Sequence, residues 1–463
     1  MTTPANDIVQ IEYTNPSASG SLFMPVLITC NTTDDIIENN IRVNSEKDLK
    51  WLCSEEQHDG IAILVGGGAS VENEVDTIKA LIKQGGTVFA MNAASQWLHE
   101  NGIDVDFQCI ADAKEETAQL IDNKAKAHII GSQVHPKTMD SVQNPIVWHL
   151  GIKDIEDLFP IEKVKRGGYV ILGGGRAVGN SATCVAYAKG FRDLRIFGFD
   201  SCHQNGRSHA YTQTMNALIP TIKTKWAGKE FISSVAMKAQ AEKFMFTSKY
   251  LKDAGCSIKV YGDGLLQTMY NTDYNDLTEQ EKYQIMWQYD SYREVSPGEQ
   301  IARFYIERFK PEGRIIDFGC GTGRAGVTFS ELGYPVLLID FTDNSRDEEA
   351  QALPFVQWDL TNKFPFYGEN GFCTDVMEHI PTKKVIDVVK NIMDSATNVF
   401  FQISTMDDSM GAVIDEPLHL TVKPHAWWKE LFVSLGYNIN WELEQENVAL
   451  FYINNPDRRD LWQ

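Results

Sequence analysis

From Gly60 onward the chain alternates short apolar runs with helical stretches, and this rhythm limits what it can fold into more than any other feature. The runs IAILV, TVFAM, FQCIA, AHIIG and IVWHL are separated by helical patterns such as Val71 to Gln84 and Ala93 to Asn101. Strand and helix in alternation predict a parallel sheet covered on both faces, because parallel neighbours need a crossover between them. The rhythm continues through Ala177 to Lys189 and LRIFGF, then through Val235 to Asp253 and SIKVYG. Between these two units lies an insertion, Ser201 to Ser234. Its segment TIKTKWAGKEFISS alternates on either side of Ala227-Gly228 and predicts a hairpin.

A polar, Tyr-rich stretch, Asn271 to Gln284, precedes a second series with strands RIIDF, PVLLID, FVQWD, GFCTD and VFFQIS. It closes with INWELEQENVALFYI, whose Glu-rich centre predicts a hairpin turn. At 463 residues the chain is long enough for two full cores. The expected class is α/β: two Rossmann-like three-layer domains, residues 56–270 and 271–463, with the boundary near Asp276. Residues 1–55 form an N-terminal segment to which no chemistry is assigned, although MPVLITC, Met24 to Cys30, reads as a strand.

Charge and cysteine usage narrow the setting. A formal net charge of −21 repels phosphate backbones at long range, so duplex nucleic acid is not expected as a partner; small-molecule substrates are. The eight cysteines, from Cys30 to Cys373, form no CxxC pair and read as reduced thiols of a cytoplasmic protein. No apolar run is long enough to span a bilayer. Oligomeric state is not legible.

The most specific string is IIDFGCGTGR, Ile315 to Arg324, in which an apolar strand runs through an acid into Gly319, Gly321 and Gly323 and then a helix. Glycines belong where a ligand approaches the backbone closely and positive φ is needed. PVLLID ends at Asp340, where a carboxylate can accept from a ribose diol, and Asp359 follows the third strand. GFCTDVMEHIP brings Asp375 and His379 to the tip of the fourth strand. This order closely resembles the class I S-adenosylmethionine-dependent methyltransferases, from about Tyr283 to the C-terminus. The resemblance implies a seven-stranded sheet with a terminal antiparallel hairpin and S-adenosyl-L-methionine as cofactor. It also implies that Asp317 and Gly319, Cys320, Gly321 and Gly323 line the methionine end, Asp340 holds the ribose, Asp359 with Leu360 flanks the adenine, and Asp375 borders the site. If the acceptor must lose a proton, His379 is the leading base, with His419 and His425 as alternatives to it. Trp427 and Trp428 are read either as acceptor-pocket aromatics or as core. The segment Thr405 to Pro424 is expected to carry acceptor specificity.

In the first half, LVGGGASVENEV sets Gly66, Gly67, Gly68 and Ser70 at a strand-to-helix turn, where free N–H groups and the helix dipole suit a phosphate. No GK[ST] follows, so this is not a Walker loop. Asn92 and Asp112 end the next two strands, LGGGRAVGNSA opens a helix with Gly174 and Gly175, and Asp200 ends LRIFGFD. Together with NGRSHAY these motifs resemble the family that joins archaeal-type 6-hydroxymethylpterin diphosphokinases to the flagellin-modifying motility accessory factor glycosyltransferases, over about Gly60 to Gly262. Gly68-Ala69-Ser70 replaces the GPS common in that family, keeping the serine and losing the proline. The resemblance implies transfer from a nucleotide or nucleotide-sugar donor, with Asn92 orienting it. It places Asp112 or Asp200 on Mg²⁺, His209 as acid or base, and Arg207 against phosphate charge. A helix-capping role for Asp200 competes with the metal role.

The expected function is that of a bifunctional transferase, passing methyl groups to a small polar or sugar acceptor and glycosyl or diphosphoryl groups from a nucleotide donor. The alternative is a methyltransferase whose N-terminal domain binds nucleotide or acceptor without turning it over. A methyltransferase acting on a macromolecule ranks below both.

Overall fold

The computed structural model describes residues 9–11, 24–26, 32–151, 170–173, 177–212, 220–274, 277–296 and 298–456. Gly174 and Gly175, the sequence around Asp276, and Leu27 to Cys30 fall outside that description. The chain divides into two compact units, Met1–Thr272 and Asp273–Gln463.

Two short strands, β1 (Val9–Ile11) and β2 (Met24–Val26), pair antiparallel. The sheet of the first unit contains, among the described residues, nine strands. These are β3 (Lys50–Trp51), β4 (His58–Val65), β5 (Thr87–Met91), β6 (Phe107–Ile110), β7 (Ala127–Gly131), β8 (Ile146–Gly151), β9 (Ile171–Gly173), β10 (Phe191–Phe197) and β13 (Ser257–Val260). They are parallel throughout, in the order β13-β10-β4-β5-β6-β7-β8-β3, and β9 extends the same edge of β8 beyond β3. Ile63, Val65, Val88, Ala90 and Phe197 pack with Ile78, Leu81, Trp97 and Leu98 of the helices Val75–Lys83 and Ala94–Glu100. The insertion folds into the expected hairpin, β11 (Ile222–Trp226) with β12 (Lys229–Ser233), turning at Ala227 and Gly228, both at positive φ.

Within the weakly patterned segment before Trp51, the described residues include a helix that packs into this unit. Helix Asp34–Ser45 buries Ile37 and Ile41, and between them and beyond them Asn40 and Asn44 carry amides to the loops beyond β6 and β7. Asn40 Nδ2 donates to the carbonyls of Ala113 and Gln133, and Asn44 Nδ2 to those of Ser132 and Val134, at 2.8–3.0 Å. Buried amides that satisfy four backbone carbonyls fix the helix in one register. Asn44→Ala is expected to cost about 2 kcal/mol, since it deletes two buried hydrogen bonds and strands their acceptors. Urea unfolding of the full chain checks it; an unchanged midpoint would mean the helix is only loosely docked.

The second unit has strands β14 (Ile315–Phe318), β15 (Val336–Asp340), β16 (Phe355–Gln357), β17 (Gly368–Thr374), β18 (Ala396–Ser404), β19 (Asn438–Glu444) and β20 (Val448–Asn454). Their order is β16-β15-β14-β17-β18-β20-β19, parallel except for β20, which runs antiparallel to both β18 and β19. The alternation of side chains along a strand explains the three layers. Ile316, Phe318, Ile339, Cys373, Val399, Phe401 and Phe451 join one core with helices Val385–Ser395 and His425–Ser434. Their neighbours Ile315, Leu338, Phe372, Phe400 and Leu450 join a second core with helices Gly298–Phe309 and Arg324–Glu331. The expected α/β class and terminal hairpin are therefore present. The described cysteines are free thiols, and no helix among the described residues is long and apolar enough to cross a membrane.

Candidate functional site

In the second unit the polar groups named from sequence gather at the C-terminal ends of β14, β15 and β17. Asp317 sits within β14, and its Oδ2 has no hydrogen-bond partner among the described residues although the side chain is buried. Burial, and then the charge of Asp340, pushes its carboxyl up to about 8. Asp340 is better served: it accepts from the N–H of Gly321 at 2.9 Å and from the N–H and hydroxyl of Thr342 at 2.9 and 2.8 Å. Burial still raises its pKa, but these donors oppose the rise.

Gly319, Gly321 and Gly323 have φ of 73°, 50° and 75°. At Gly321 a side chain is excluded twice, by the left-handed backbone and by the ring of Trp287, which a Cβ would meet at 2.9 Å. Trp287 follows the helix Glu279–Met286 and packs on Tyr292, so the polar stretch before β14 supplies an aromatic cover for the glycine loop. That cover was not read from sequence. The only signal was an unusual density of Tyr and Trp in EKYQIMWQYDSY. Cys320 and Leu360 are buried, whereas Asp359 is exposed two residues past β16 and accepts from the N–H of Thr361.

Asp375, at φ 52°, follows β17 and accepts from Gln402 Nε2 at 3.0 Å. Burial raises its pKa. His379 Nδ1 lies 2.7 Å from the Tyr283 hydroxyl and 3.0 Å from the Leu418 carbonyl oxygen. Burial, reinforced by His419, lowers its pKa to about 4, so the ring is neutral near pH 7. His419 reaches the same place from the loop after β18, its ring centroid 4.8 Å from that of His379. That loop is tied down by Leu420 and Thr421, whose N–H groups donate to the Glu378 carbonyl at 2.7 and 2.8 Å. His425 is elsewhere, stacked on Phe451. Trp428 is wholly buried in the core, with Trp427 packed against it, so the aromatic pair resolves to its core reading.

In the first unit the glycine turn after β4 is close-packed. The N–H groups of Gly66 and Gly68 donate to the carbonyls of Phe197 and Gly198, both at 2.8 Å. The Ser70 N–H donates to Asp200 Oδ2 at 2.8 Å, while Asp200 Oδ1 accepts from the Ser70 hydroxyl and from Gln267 Nε2. Asp200, 2% exposed, thus caps the turn Ala69–Glu74 from the loop after the neighbouring strand β10. Three donors meet its two oxygens, the geometry that the helix-capping alternative expects. Arg207, expected against phosphate, forms a bidentate pair with Glu72 at 2.9 and 2.7 Å on the surface. His209 lies over Gly67 beside Tyr211, with its Nδ1 2.9 Å from the Ser208 hydroxyl. Burial lowers its pKa. Asn92 stands at the tip of β5 with φ 51°, and its buried Oδ1 has no hydrogen-bond partner among the described residues. Asp112, beyond β6, accepts from the Lys114 N–H at 3.1 Å.

Comparison with known proteins agrees with the two halves. The family model described as "6-hydroxymethylpterin diphosphokinase MptE-like" matches residues 36–206, beginning ahead of Gly60 and taking in most of helix Asp34–Ser45. The protein named "Putative methyltransferase YqeM" from Bacillus subtilis (strain 168) is 30% identical over 115 residues, 22% of this chain and 46% of that protein. The chain therefore spans about half the length of the curated relative it matches. Among solved structures, the MAf glycosyltransferase from Magnetospirillum magneticum AMB-1 aligns at 18% identity and TM-score 0.40, over 51% of this chain and 38% of that one. Magnesium protoporphyrin IX methyltransferase (ChlM) from Synechocystis PCC 6803, with bound SAM, aligns at 14% identity and TM-score 0.29, over 40% of this chain and 89% of that one.

Proposed function

We propose that the chain is a fused transferase whose second unit moves a methyl group from S-adenosyl-L-methionine to a small polar or sugar acceptor. The observation that carries this reading is the pairing of an orphaned buried carboxylate, Asp317 Oδ2, with a glycine loop that has no room for side chains. Both are features a bound cationic, backbone-hugging ligand would explain. Asp317 with Gly319, Cys320, Gly321 and Gly323 would hold the methionine end, Asp340 the ribose, and Asp359 with Leu360 the adenine side. When bound, the cofactor supplies an electrophilic methyl group on a sulfonium. The protein's part is then to orient the acceptor and exclude water, the main sources of rate in such a displacement. Asp375 and the neutral His379 border the acceptor side, and the loop Thr405 to Pro424, pinned through Leu420 and Thr421, shapes it.

For the first unit the proposed activity is nucleotide-dependent glycosyl or diphosphoryl transfer, of which the MptE-like match over residues 36–206 supports the diphosphoryl form; Gly67, Asn92 and His209 would lie nearest the donor. A second reading has specific support: Ser70, Asp200 and Arg207 are committed to partners within the chain. On that reading the unit binds a nucleotide or nucleotide-linked acceptor without turning it over.

Calorimetric titration of the full chain with S-adenosyl-L-methionine, then with CMP, CDP, GDP and ATP with and without Mg²⁺, tests both halves. Saturable cofactor binding at one site per chain is the expected result. Absence of binding would sink the methyltransferase reading. Nucleotide binding with no donor turnover over hours would decide for the second reading of the first unit.

A further inference from the structure

Three side chains beside the acceptor region, Glu378, His379 and His419, bring ligand-capable atoms together. Glu378 is 0% exposed; its Oε1 accepts from the Ser404 N–H at 3.0 Å, and its Oε2 has no partner among the described residues. His379 Nδ1 faces the Leu418 carbonyl oxygen at 3.0 Å and the Tyr283 hydroxyl, which can also accept, at 2.7 Å, and His419 Nδ1 faces the Met406 carbonyl oxygen at 2.7 Å. A nitrogen that close to a carbonyl oxygen carries the proton, which leaves the lone pair on Nε2 in both rings. One ligand atom from each of the three residues lies within 4.8 Å of the others, the one such convergence of three among the described residues.

A buried carboxylate oxygen without a donor is costly, and two imidazole lone pairs beside it add no donor. A cation removes all three debts at once. We propose that Glu378, His379 and His419 form a binding site for one divalent first-row transition-metal ion. Two imidazoles and one carboxylate suit Zn²⁺, Co²⁺, Mn²⁺ or Fe²⁺, whereas Mg²⁺ and Ca²⁺ take oxygen sets. Ligand bonds of about 2.0–2.2 Å allow a separation of roughly 4 Å across the ion, so closing from 4.8 Å takes only small side-chain rotations. Backbone carbonyls behind both Nδ1 atoms are the usual outer shell that orients a ligating histidine.

Local folding supplies the site from two places. Glu378 and His379 lie on the turn after β17, and His419 on the loop after β18, which backbone bonds to the Glu378 carbonyl already hold against that turn. Three protein ligands leave coordination positions open, as in metal sites that bind substrate. Resting on the methyltransferase reading, the ion would hold an acceptor oxygen and make its proton easier to lose. His379 then serves as a ligand and not as a base, because ligation uses the same lone pair.

The test uses full-length protein dialysed against a chelator and titrated with Co²⁺, whose visible absorption reports nitrogen and oxygen ligation directly, followed by competition with Zn²⁺ and Mg²⁺. One equivalent is expected, displaced by Zn²⁺ and not by equimolar Mg²⁺. His419→Ala and the near-isosteric Glu378→Gln should each weaken Co²⁺ at least tenfold, with S-adenosyl-L-methionine titration as the folding control. No stoichiometric spectrum, equal displacement by Mg²⁺, or unchanged affinity in both variants overturns the assignment. Co²⁺ binding without cofactor binding would keep the metal site and reject the methyltransferase reading; cofactor binding without Co²⁺ would do the reverse.

Discussion

Asp317→Asn is expected to weaken S-adenosyl-L-methionine binding about 100-fold while making the ligand-free protein more stable at neutral pH. The two effects have one origin. In the free protein the carboxyl is buried, one oxygen has no partner among the described residues, and its pKa is about 8, against an unfolded value near 3.9. The folded state therefore holds a proton that the unfolded state has lost. Between those values the unfolded chain binds fewer protons than the native one, so stability falls as pH rises, and the contribution present below about pH 4 is gone above about pH 8. Asparagine keeps the shape and carries no such cost. Its advantage over the wild type should be small at pH 5 and should grow to on the order of 3 kcal/mol at pH 8, after discounting for relaxation around the charge. A cationic ligand reverses the balance, because it needs the charge that burial opposes; losing a charge-assisted contact of this kind removes roughly 3 kcal/mol of binding. Thermal melts of both proteins from pH 5 to 8, with calorimetry alongside, read the two signs separately. A variant that binds normally, or one less stable at every pH, would show that Asp317 is an ordinary core group.

Asp200→Ala is expected to destabilise the first unit by about 4 kcal/mol and leave cofactor binding by the second unit intact. The substitution strands the Ser70 N–H, the Ser70 hydroxyl and an amide hydrogen of Gln267, all buried. Each such loss costs about 1–3 kcal/mol, and the end of the turn Ala69–Glu74 loses its cap as well. A metal-binding Asp200 predicts the opposite, since deleting a buried carboxylate that awaits an ion relieves repulsion in the free protein. Differential scanning calorimetry of the full chain therefore separates the roles by sign: a raised transition temperature in the variant would favour the metal reading over the capping one.

Much of the geometry of the second candidate site was legible because its elements are local. Asp317, Gly319, Gly321 and Gly323 belong to one strand-turn-helix string, and Asp340 ends the adjacent strand, so proximity follows from the parallel order itself. The first site was less legible for the same reason reversed. Gly66 to Ser70 make a sound phosphate turn when considered alone, but Asp200 comes from 130 residues along the chain to use the Ser70 donors, and Gln267, a further 67 residues on, donates to the same carboxylate. Similarly, Arg207 meets Glu72 across 135 positions. Trp428 offered a pocket or a core reading until the helix His425–Ser434 was seen to turn it inward.

By itself, then, the amino-acid order determined two parallel-sheet units, their hairpins and the glycine loop of the second, because periodicity and turn chemistry act over a few residues. The tertiary structure alone decided which polar groups are spent and which are spare. Whether Ser70 can meet a ligand, whether Asp317 keeps an oxygen free, and whether Glu378, His379 and His419 share a point in space all depend on contacts between segments far apart in the chain. A hydrogen bond is a matter of ångströms, and distance along the sequence carries no such measure until the sheet has closed around it.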